Sequence, residues 1–187
     1  TQEVVEGIFS FACIWGFGGA LVEGKQNGRS AFSEGWILEF KPAWVPKDAS
    51  VFDFYFDTKI LGFAPWASMI LPYAPQTIGT GDGDVDFGQI FVETTSVVQM
   101  RFLLTMLLSQ QTPTMMVGLS GTGKSVIMND FLLAQDEYVV HETINMNFYM
   151  EHRDLQRRIE RCLDKRSGVT FAPPAGKRMI YFIDDMN

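Results

Sequence analysis

An eight-residue glycine pattern near the middle of the chain constrains the fold more than any other feature. Residues 118–125 read Gly-Leu-Ser-Gly-Thr-Gly-Lys-Ser and match the pattern G-x-x-x-x-G-K-[ST] in full. The apolar run Thr114–Val117 precedes the pattern, and a helical pattern over Lys124–Leu133 follows it. Glycine lets the backbone curl so that successive N–H groups point inward, and the helix N-terminus adds partial positive charge. The pattern therefore predicts a phosphate-binding loop between a strand and a helix.

The residue types within this loop indicate how each would hold a nucleotide. We expect the Lys124 ammonium to reach the β- and γ-phosphates and the Ser125 hydroxyl to coordinate Mg²⁺. The predicted cofactors are therefore ATP or ADP with Mg²⁺. The remaining cofactor-binding contacts are predicted to come from Gly118, Leu119, Ser120, Gly121, Thr122 and Gly123.

An acidic pair further along the chain completes the predicted site. Asp184 stands 60 residues after Lys124 and follows the apolar run Met179–Ile183 directly. Carboxylates at the C-terminal end of a parallel strand lie at the edge where open α/β sheets bind ligands. We expect Asp184 to hold Mg²⁺, directly or through water, and Asp185 to orient and deprotonate the attacking water. The alternative without a function is that both residues only end the strand in a turn.

Composition and charge describe a globular chain. The 187 residues are 47% hydrophobic and 20% charged, which excludes collagen, low-complexity and disordered classes. A net charge of −7 argues against nucleic acid as a partner. The uncharged stretch Gly7–Val22 is shorter than the roughly 20 residues of a membrane span, so no membrane partner is expected. The sequence does not start with Met and ends at Asn187 directly after a strand of buried character, so we expect a piece cut from a longer protein.

Periodicity predicts a β-α-β-α-β order after residue 113, which is a right-handed α/β unit with a parallel sheet. Its predicted elements are a strand at 114–117, a helix at 124–133, a strand at 142–148, a helix at 151–166, a loop at 167–176 and a strand at 179–183. The predicted elements of the front half are a helix at 3–15, a loop at 23–35, a strand at 36–40, a strand at 51–57, a return strand formed by Trp66 and 70–72, and a helix at 97–109.

Several other features carry weaker interpretations. Asp82, Asp84, Asp86 and Glu93 have calcium-loop spacing, but Phe87 occupies the place that needs glycine, which favours a solvated acidic loop. The basic residues of the 151–166 helix form either a solvated face or a contact with an acidic neighbour. The two cysteines and two histidines lack metal-ligand spacing and are read as structural, and the cysteines as reduced: Cys13, Cys162, His141 and His152.

The loop 118–125, taken together with residues 176–187, resembles the AAA+ ring of dynein heavy chains, and among these the third module of axonemal heavy chains. The resemblance extends to residues 145–148 and 171–176 and, in the front half, to residues 9–19, 29–32, 51–57, 91–94, Trp66 and Arg101. That family commonly has Pro and Thr where this chain has Glu93 and Val97, on the adenine side of the pocket.

The resemblance implies a P-loop NTPase (AAA+) fold, a truncated three-layer α/β/α with a parallel sheet, preceded by a helix and a small β-strand pair. It implies that residues 1–48 end the preceding module with a linker, that 49–111 form the strand pair and lead-in helix, and that 112–187 form an incomplete P-loop nucleotide-binding core.

The function implied is that of a fragment of an ATP-hydrolysing microtubule motor in the axoneme of a cilium or flagellum. The implied partners are neighbouring AAA+ modules of the same heavy chain and, through parts absent from this chain, the microtubule. The module would bind ATP or ADP with magnesium at a regulatory site. Related ATPases commonly have Glu at position 185, and the shorter Asp makes binding a safer expectation than hydrolysis.

Two alternatives remain open. One is a structural ring module that holds nucleotide without appreciable hydrolysis. The other is a small phosphotransferase or GTPase, which the long front half and the lack of an Asn-Lys-x-Asp motif argue against.

Overall fold

The computed structural model describes residues 2–22, 24, 27–72 and 92–186. These residues form two compact units, Thr1–Gln99 and Met100–Asn187. Asp82, Asp84 and Asp86, the first three residues of the possible calcium loop, lie outside the described residues. Phe91, in the segment that resembles the dynein lead-in, also lies outside them. Within the described ranges no helix is both long enough and apolar enough to cross a bilayer.

The first unit combines helices with one small antiparallel sheet. Helix α1 spans Gln2–Cys13 and runs into a π-helical turn, Ile14–Gly18, and α2 spans Gly28–Phe40. A 3-10 turn at Val51–Asp53 leads into strand β1, Phe54–Asp57, which pairs antiparallel with β2, Gly62–Pro65. A second 3-10 turn, Trp66–Met69, follows β2, and the first residues of α3, Thr95–Ser109, complete the unit.

An aromatic cluster around Trp66 forms the core of this unit. The Trp66 side chain is fully buried, and its indole N–H donates to the Phe52 carbonyl at 3.0 Å. The rings of Tyr55 and Trp15 lie 4.9 and 6.0 Å from it, centroid to centroid. Because a buried indole N–H needs an acceptor, this bond fixes β2 and its following turn against the turn that precedes β1.

Helix α2 shows that the strand predicted at 36–40 is wrong, and that the loop predicted at 23–35 is wrong from Gly28 onward. Phe32, Trp36 and Phe40 are spaced four residues apart, and their rings contact one another in order, at centroid distances of 5.9 Å for the stacked first pair and 4.4 Å for the tilted second pair. Residues spaced by four share one helix face, whereas the window 36–40 alone has the apolar content of a strand.

The strand pair also differs from its prediction. The predicted strand at 51–57 begins only at Phe54, because the Ser50 hydroxyl and the Asp53 carboxylate form a capping box around the 3-10 turn. The return strand is Gly62–Pro65, and the predicted strand at Trp66 and 70–72 is absent from the described residues. A short turn explains the earlier return, since the Asp57 carboxylate accepts the Lys59 N–H at 2.8 Å.

The second unit contains the predicted parallel strands. Strand β3, Val139–Asn145, pairs in parallel with β6, Arg178–Asp184, in a register that runs from Val139↔Arg178 to Asn145↔Asp184. Helix α4, Lys124–Leu133, precedes β3, and helix α5, His152–Arg161, follows it. The parallel sheet and the helices expected near 97–109 and at 124–133 are confirmed.

Apolar contacts join α3, α4 and β6 within this unit. The buried members of the cluster are Leu104 of α3 and, on α4, Met128, Phe131 and Leu132. Ile180 and Phe182 of β6 pack against this cluster, and so does Met116, two residues before the glycine loop. The helix that begins at Lys124 and the strand that ends at Asp184 therefore share one core, which we call the α4–β6 cluster.

Four predictions in this unit are wrong: one strand is absent from the part of the chain that the structure describes, two elements have other bounds, and part of the loop predicted at 167–176 forms a strand. Residues 114–117 pair with no strand among the described residues, and β3 occupies 139–145 instead of 142–148. The helix predicted over 151–166 ends at Arg161. Its last residues form β4, Asp164–Ser167, which pairs antiparallel with β5, Thr170–Ala172. Gly168, at φ +57°, supplies the left-handed residue that this tight turn needs. The charged residues that were predicted to end the helix therefore form a strand of the hairpin instead.

Tyr181 on β6 links the sheet to α5. Its hydroxyl donates to the Ile159 carbonyl at 2.7 Å, and Glu142 is its register partner on β3. Burial raises the pKa of Tyr181, and the nearby Cys162 thiol and Glu142 carboxylate raise it further. Since the native state keeps the phenol neutral at pH values where the unfolded chain has begun to ionise, native stability falls as the pH rises above about 10.

We predict that replacing Tyr181 by Phe flattens this alkaline loss of stability. Between the ordinary pKa near 10 and the raised native pKa, the unfolded wild-type chain binds fewer protons than the native chain, and Phe removes that difference. Urea unfolding at pH 8 and at pH 10.5 measures it. At pH 8 the variant is expected to be less stable by about 1 kcal/mol, because one hydrogen bond is lost. If the variant loses as much unfolding free energy between pH 8 and pH 10.5 as the wild-type chain does, Tyr181 does not cause the alkaline loss of stability. The matched control is Tyr138→Phe, which changes an exposed tyrosine.

Candidate functional site

The glycine loop adopts the curled backbone that its sequence predicts. Gly121 and Gly123 have φ values of +77° and +83°, in the left-handed region that glycine occupies without strain. A Cβ atom at either position would meet nothing within 4 Å, so the backbone angle and not crowding requires glycine here. Helix α4 begins at Lys124, directly after the second of these glycines.

The Lys124 side chain folds back over the loop. Its ammonium donates to the carbonyl oxygens of Gly118 at 3.0 Å and Leu119 at 2.7 Å, and lies 3.5 Å from the Thr122 hydroxyl oxygen. The Thr122 hydroxyl itself donates to the Leu119 carbonyl at 2.9 Å. These contacts place a positive charge at the centre of the loop, where a phosphate oxygen could replace one of the three acceptors.

The start of α4 supplies backbone donors beside this charge. The first hydrogen bond of the helix runs from the Ile127 N–H to the Gly123 carbonyl at 2.9 Å. The N–H groups of Lys124, Ser125 and Val126 precede that bond and have no acceptor within the helix, as at any helix start. Residues 118–122 are exposed, and Gly123, Lys124 and Ser125 are half-buried. An open surface of N–H donors around one ammonium fits a polyphosphate.

The acidic pair lies where β6 ends. Asp184 is half-buried and its backbone carbonyl accepts the Met146 N–H at 2.9 Å, while its Oδ1 accepts the Asp185 N–H at 3.1 Å. Asp185 is exposed and has φ +53°, so the chain turns immediately after the strand. The two carboxylates therefore occupy the carboxyl end of a parallel strand, as their sequence positions predicted.

The α4–β6 cluster anchors both parts of the predicted site. Lys124 begins the helix that contributes Met128 and Phe131 to this cluster, and Asp184 ends the strand that contributes Ile180 and Phe182. An ion pair at 2.6 Å between Arg101 of α3 and Asp130 of α4 also fixes the helix. The loop and the acidic pair are thus attached to one packed core.

Magnesium would find few protein ligands here. Among the described residues there is no group of three or more His, Cys, Asp and Glu side chains that could hold a metal. The Ser125 hydroxyl and the Asp184 carboxylate are hard oxygen donors, and Mg²⁺ commonly binds one or two such groups while phosphate oxygens and water fill its remaining positions. The two predicted ligands therefore fit Mg²⁺ that arrives with a nucleotide.

Sequence reasoning did not select one polar residue at this edge. Asn145, the last residue of β3, stands opposite Asp184 in the parallel register and is exposed. The predicted strand at 142–148 placed Asn145 in mid-strand, which hid its terminal position. The available signal was the appearance of two polar amides, Asn145 directly after Ile144 and then Asn147, which favours a strand end at this point.

Two family models match this chain. The model described as "P-loop containing dynein motor region" matches residues 80–187, which include both the glycine loop and the acidic pair. The model described as "Dynein heavy chain AAA lid domain" matches residues 1–68.

Curated relatives match over the whole chain. It is 38% identical over 189 residues to dynein axonemal heavy chain 17 of Mus musculus, and 35% identical over 189 residues to the ciliary dynein beta chain of Heliocidaris crassispina; each alignment covers 100% of this chain. It is also 38% identical over 183 residues, 96% of this chain, to the flagellar outer arm dynein beta chain of Chlamydomonas reinhardtii. The chain spans only about 4% of the length of each of these relatives.

Proposed function

Because this chain belongs to the dynein heavy chain family, we propose that it is a segment of an ATP-hydrolysing microtubule motor of the axoneme, and that it binds ATP or ADP with magnesium at a regulatory AAA+ site. The observation that carries the nucleotide proposal is the Lys124 ammonium held at the centre of a glycine loop, 3.0 and 2.7 Å from two loop carbonyls. The neighbouring AAA+ modules are its proposed partners, and the microtubule is reached through parts outside this chain.

The site residues have distinct proposed roles. The backbone N–H groups of 118–125 and the Lys124 ammonium bind the phosphates, and Ser125 and Asp184 hold the metal. Bound magnesium would neutralise charge on the phosphate oxygens. Asp185 is the proposed base that orients and deprotonates water. Because its side chain is short, its carboxylate would lie further from that water than a longer side chain would place it, which makes it less effective. The Asp185 N–H donates a hydrogen bond to Oδ1 of Asp184, and this bond keeps both carboxylates at the same turn.

We propose a division of the chain that follows its motifs. Residues 1–48 end one AAA+ module, 49–111 form a strand pair and lead-in helix, and 112–187 form the nucleotide-binding core of the next module. The lid match over residues 1–68 and the P-loop match over residues 80–187 support the proposal that the chain joins parts of two modules.

The second candidate function is a structural ring module that keeps its nucleotide without appreciable hydrolysis. The exposed Asp185 at φ +53° favours it, because a solvated carboxylate one methylene shorter than Glu is poorly placed to activate water. Nucleotide exchange in the assembled motor separates the two functions. A structural module is expected to retain labelled nucleotide through many turnovers of the motor, whereas a regulatory module exchanges it.

We predict that Lys124→Ala weakens ADP binding to the 187-residue chain about 10- to 100-fold, because a charge-assisted contact to phosphate is lost. Titration with a fluorescent ADP analogue in the presence of Mg²⁺ measures the affinity. The control is Lys177→Ala, which removes the same charge from an exposed residue outside the loop. Equal affinities of Lys124→Ala and the unmodified chain would refute the proposed site.

We predict that Asp184→Asn removes most of the magnesium dependence of ADP affinity, whereas Asp185→Asn leaves it in place. Asn keeps the size of Asp but lacks the charge that a hard cation prefers. Comparing ADP affinity with Mg²⁺ and with a chelator, for each variant, measures the difference. If the two variants behave alike, the separate metal and base roles of Asp184 and Asp185 are wrong.

A further inference from the structure

A polar cavity of about 330 Å³ lies in the first unit, within residues 1–99. Its walls come from the first turn of α2, the 3-10 turn before β1 and the first turns of α3. The lining residues used below are Arg29, Phe52, Asp53, Thr95, Ser96 and Gln99. Ligand pockets range from about 300 to 1,000 Å³, so this cavity can take a small organic molecule.

Arg29 supplies the positive charge of this cavity. Its guanidinium carbon lies 4.4 Å from the centroid of the Phe52 ring and 5.6 Å from that of Trp15, and the residue is half-buried. In the part of the chain that the structure describes, Arg29 forms no hydrogen bond or ion pair with another residue. The two rings hold the cation in place, but they offer none of the oxygen acceptors that its five N–H donors prefer.

The other lining residues include hydroxyl groups that can donate hydrogen bonds, and one carboxylate that already accepts a backbone hydrogen bond. Asp53 accepts the Ser50 N–H at 2.8 Å as part of the capping box. The Gln99 amide N–H donates to the Phe52 carbonyl at 3.1 Å, which fixes the start of α3 beside the ring under Arg29. Thr95 and Ser96, which both carry hydroxyl groups, also line this cavity.

We propose that this cavity binds an oxyanion, a phosphate or carboxylate group carried by a small molecule, with Arg29 as its main ligand and Thr95 and Ser96 as hydroxyl donors. A guanidinium that two aromatic rings hold in position loses little freedom when it binds, and its planar fork matches the paired oxygens of either group. The proposal is independent of the nucleotide site, because no residue of 118–125 lines this cavity.

The test uses the 187-residue chain carrying Lys124→Ala, so that phosphate binding at the glycine loop is weakened. Inorganic phosphate and glutarate are titrated separately while the backbone amide NMR signals of Thr95 and Ser96 are followed. Saturable shifts with phosphate alone assign a phosphate ligand, and saturable shifts with glutarate alone assign a carboxylate. Shifts with both support the general oxyanion site, and no saturable shift with either probe overturns the proposal.

Variants then connect binding to Arg29. Arg29→Gln is expected to weaken binding about 10- to 100-fold, because it removes charge-assisted hydrogen bonds. Asp53→Asn is expected to strengthen it by removing a like charge. If Arg29 serves only to pack against Phe52 and Trp15, Arg29→Gln lowers thermal stability and leaves the shifts unchanged, which also overturns the proposal.

A second variant decides the matter if Arg29→Gln does not fold. Ser96→Asp places a carboxylate in the cavity and an acid in the first turn of α3, where negative charge stabilises a helix. We expect this variant to fold and to lose phosphate and glutarate binding, since its own carboxylate occupies Arg29. The matched control Thr112→Asp adds the same charge at an exposed residue that does not line the cavity and should bind normally. Normal binding by Ser96→Asp would overturn the proposal.

Discussion

The apolar contact between α4 and β6 is the constraint on which both parts of the candidate nucleotide site depend. The loop gains its shape from Gly121 and Gly123, but its place in the fold comes from the buried Met128 and Phe131 on the helix that it starts. The acidic pair likewise follows from the packing of Ile180 and Phe182. An error of about 1 Å in such a site can cost on the order of 100-fold in rate, so this uncharged core matters to the chemistry as much as the charges do.

The parts of the structure that the sequence predicted correctly are those fixed by local chemistry. A residue other than glycine at a left-handed φ is strained, so the two loop glycines fix the curl of the backbone. The helix that begins at the next lysine has free N–H groups in its first turn, which need a ligand or water as acceptor. That is why the loop and the bounds of α4 followed from residues 118–133 alone. The acidic end of β6 was also predictable, because a continuous apolar run that ends in carboxylates is typical of a parallel strand, although β6 is only half-buried in the structure.

The sequence predictions were wrong where contacts with other parts of the chain, such as strand pairing and ring packing, decide the local structure. The charged side chains within residues 164–167 fit either the end of a helix or a short hairpin, and Gly168 with its left-handed φ favours the hairpin. In α2 the ring contacts among Phe32, Trp36 and Phe40 outweighed a strand-like composition. The position of Asn145 opposite Asp184 is a matter of register, and register is set by long-range contacts that a single sequence does not reveal.

Asp185 connects the geometry of the site with the choice between hydrolysis and retention of nucleotide. The hydrogen bond from its N–H engages Oδ1 of Asp184, which leaves Oδ2 of Asp184 for a metal or a metal-bound water. The same turn leaves the Asp185 carboxylate exposed, where water solvates the charge and weakens its action as a base. Under the roles proposed for this pair, one short turn would favour metal binding at Asp184 over water activation by Asp185. In the motor that we propose, a neighbouring module that excludes water from this edge would strengthen Asp185 as a base, so the proposed hydrolysis would depend on contacts with that module.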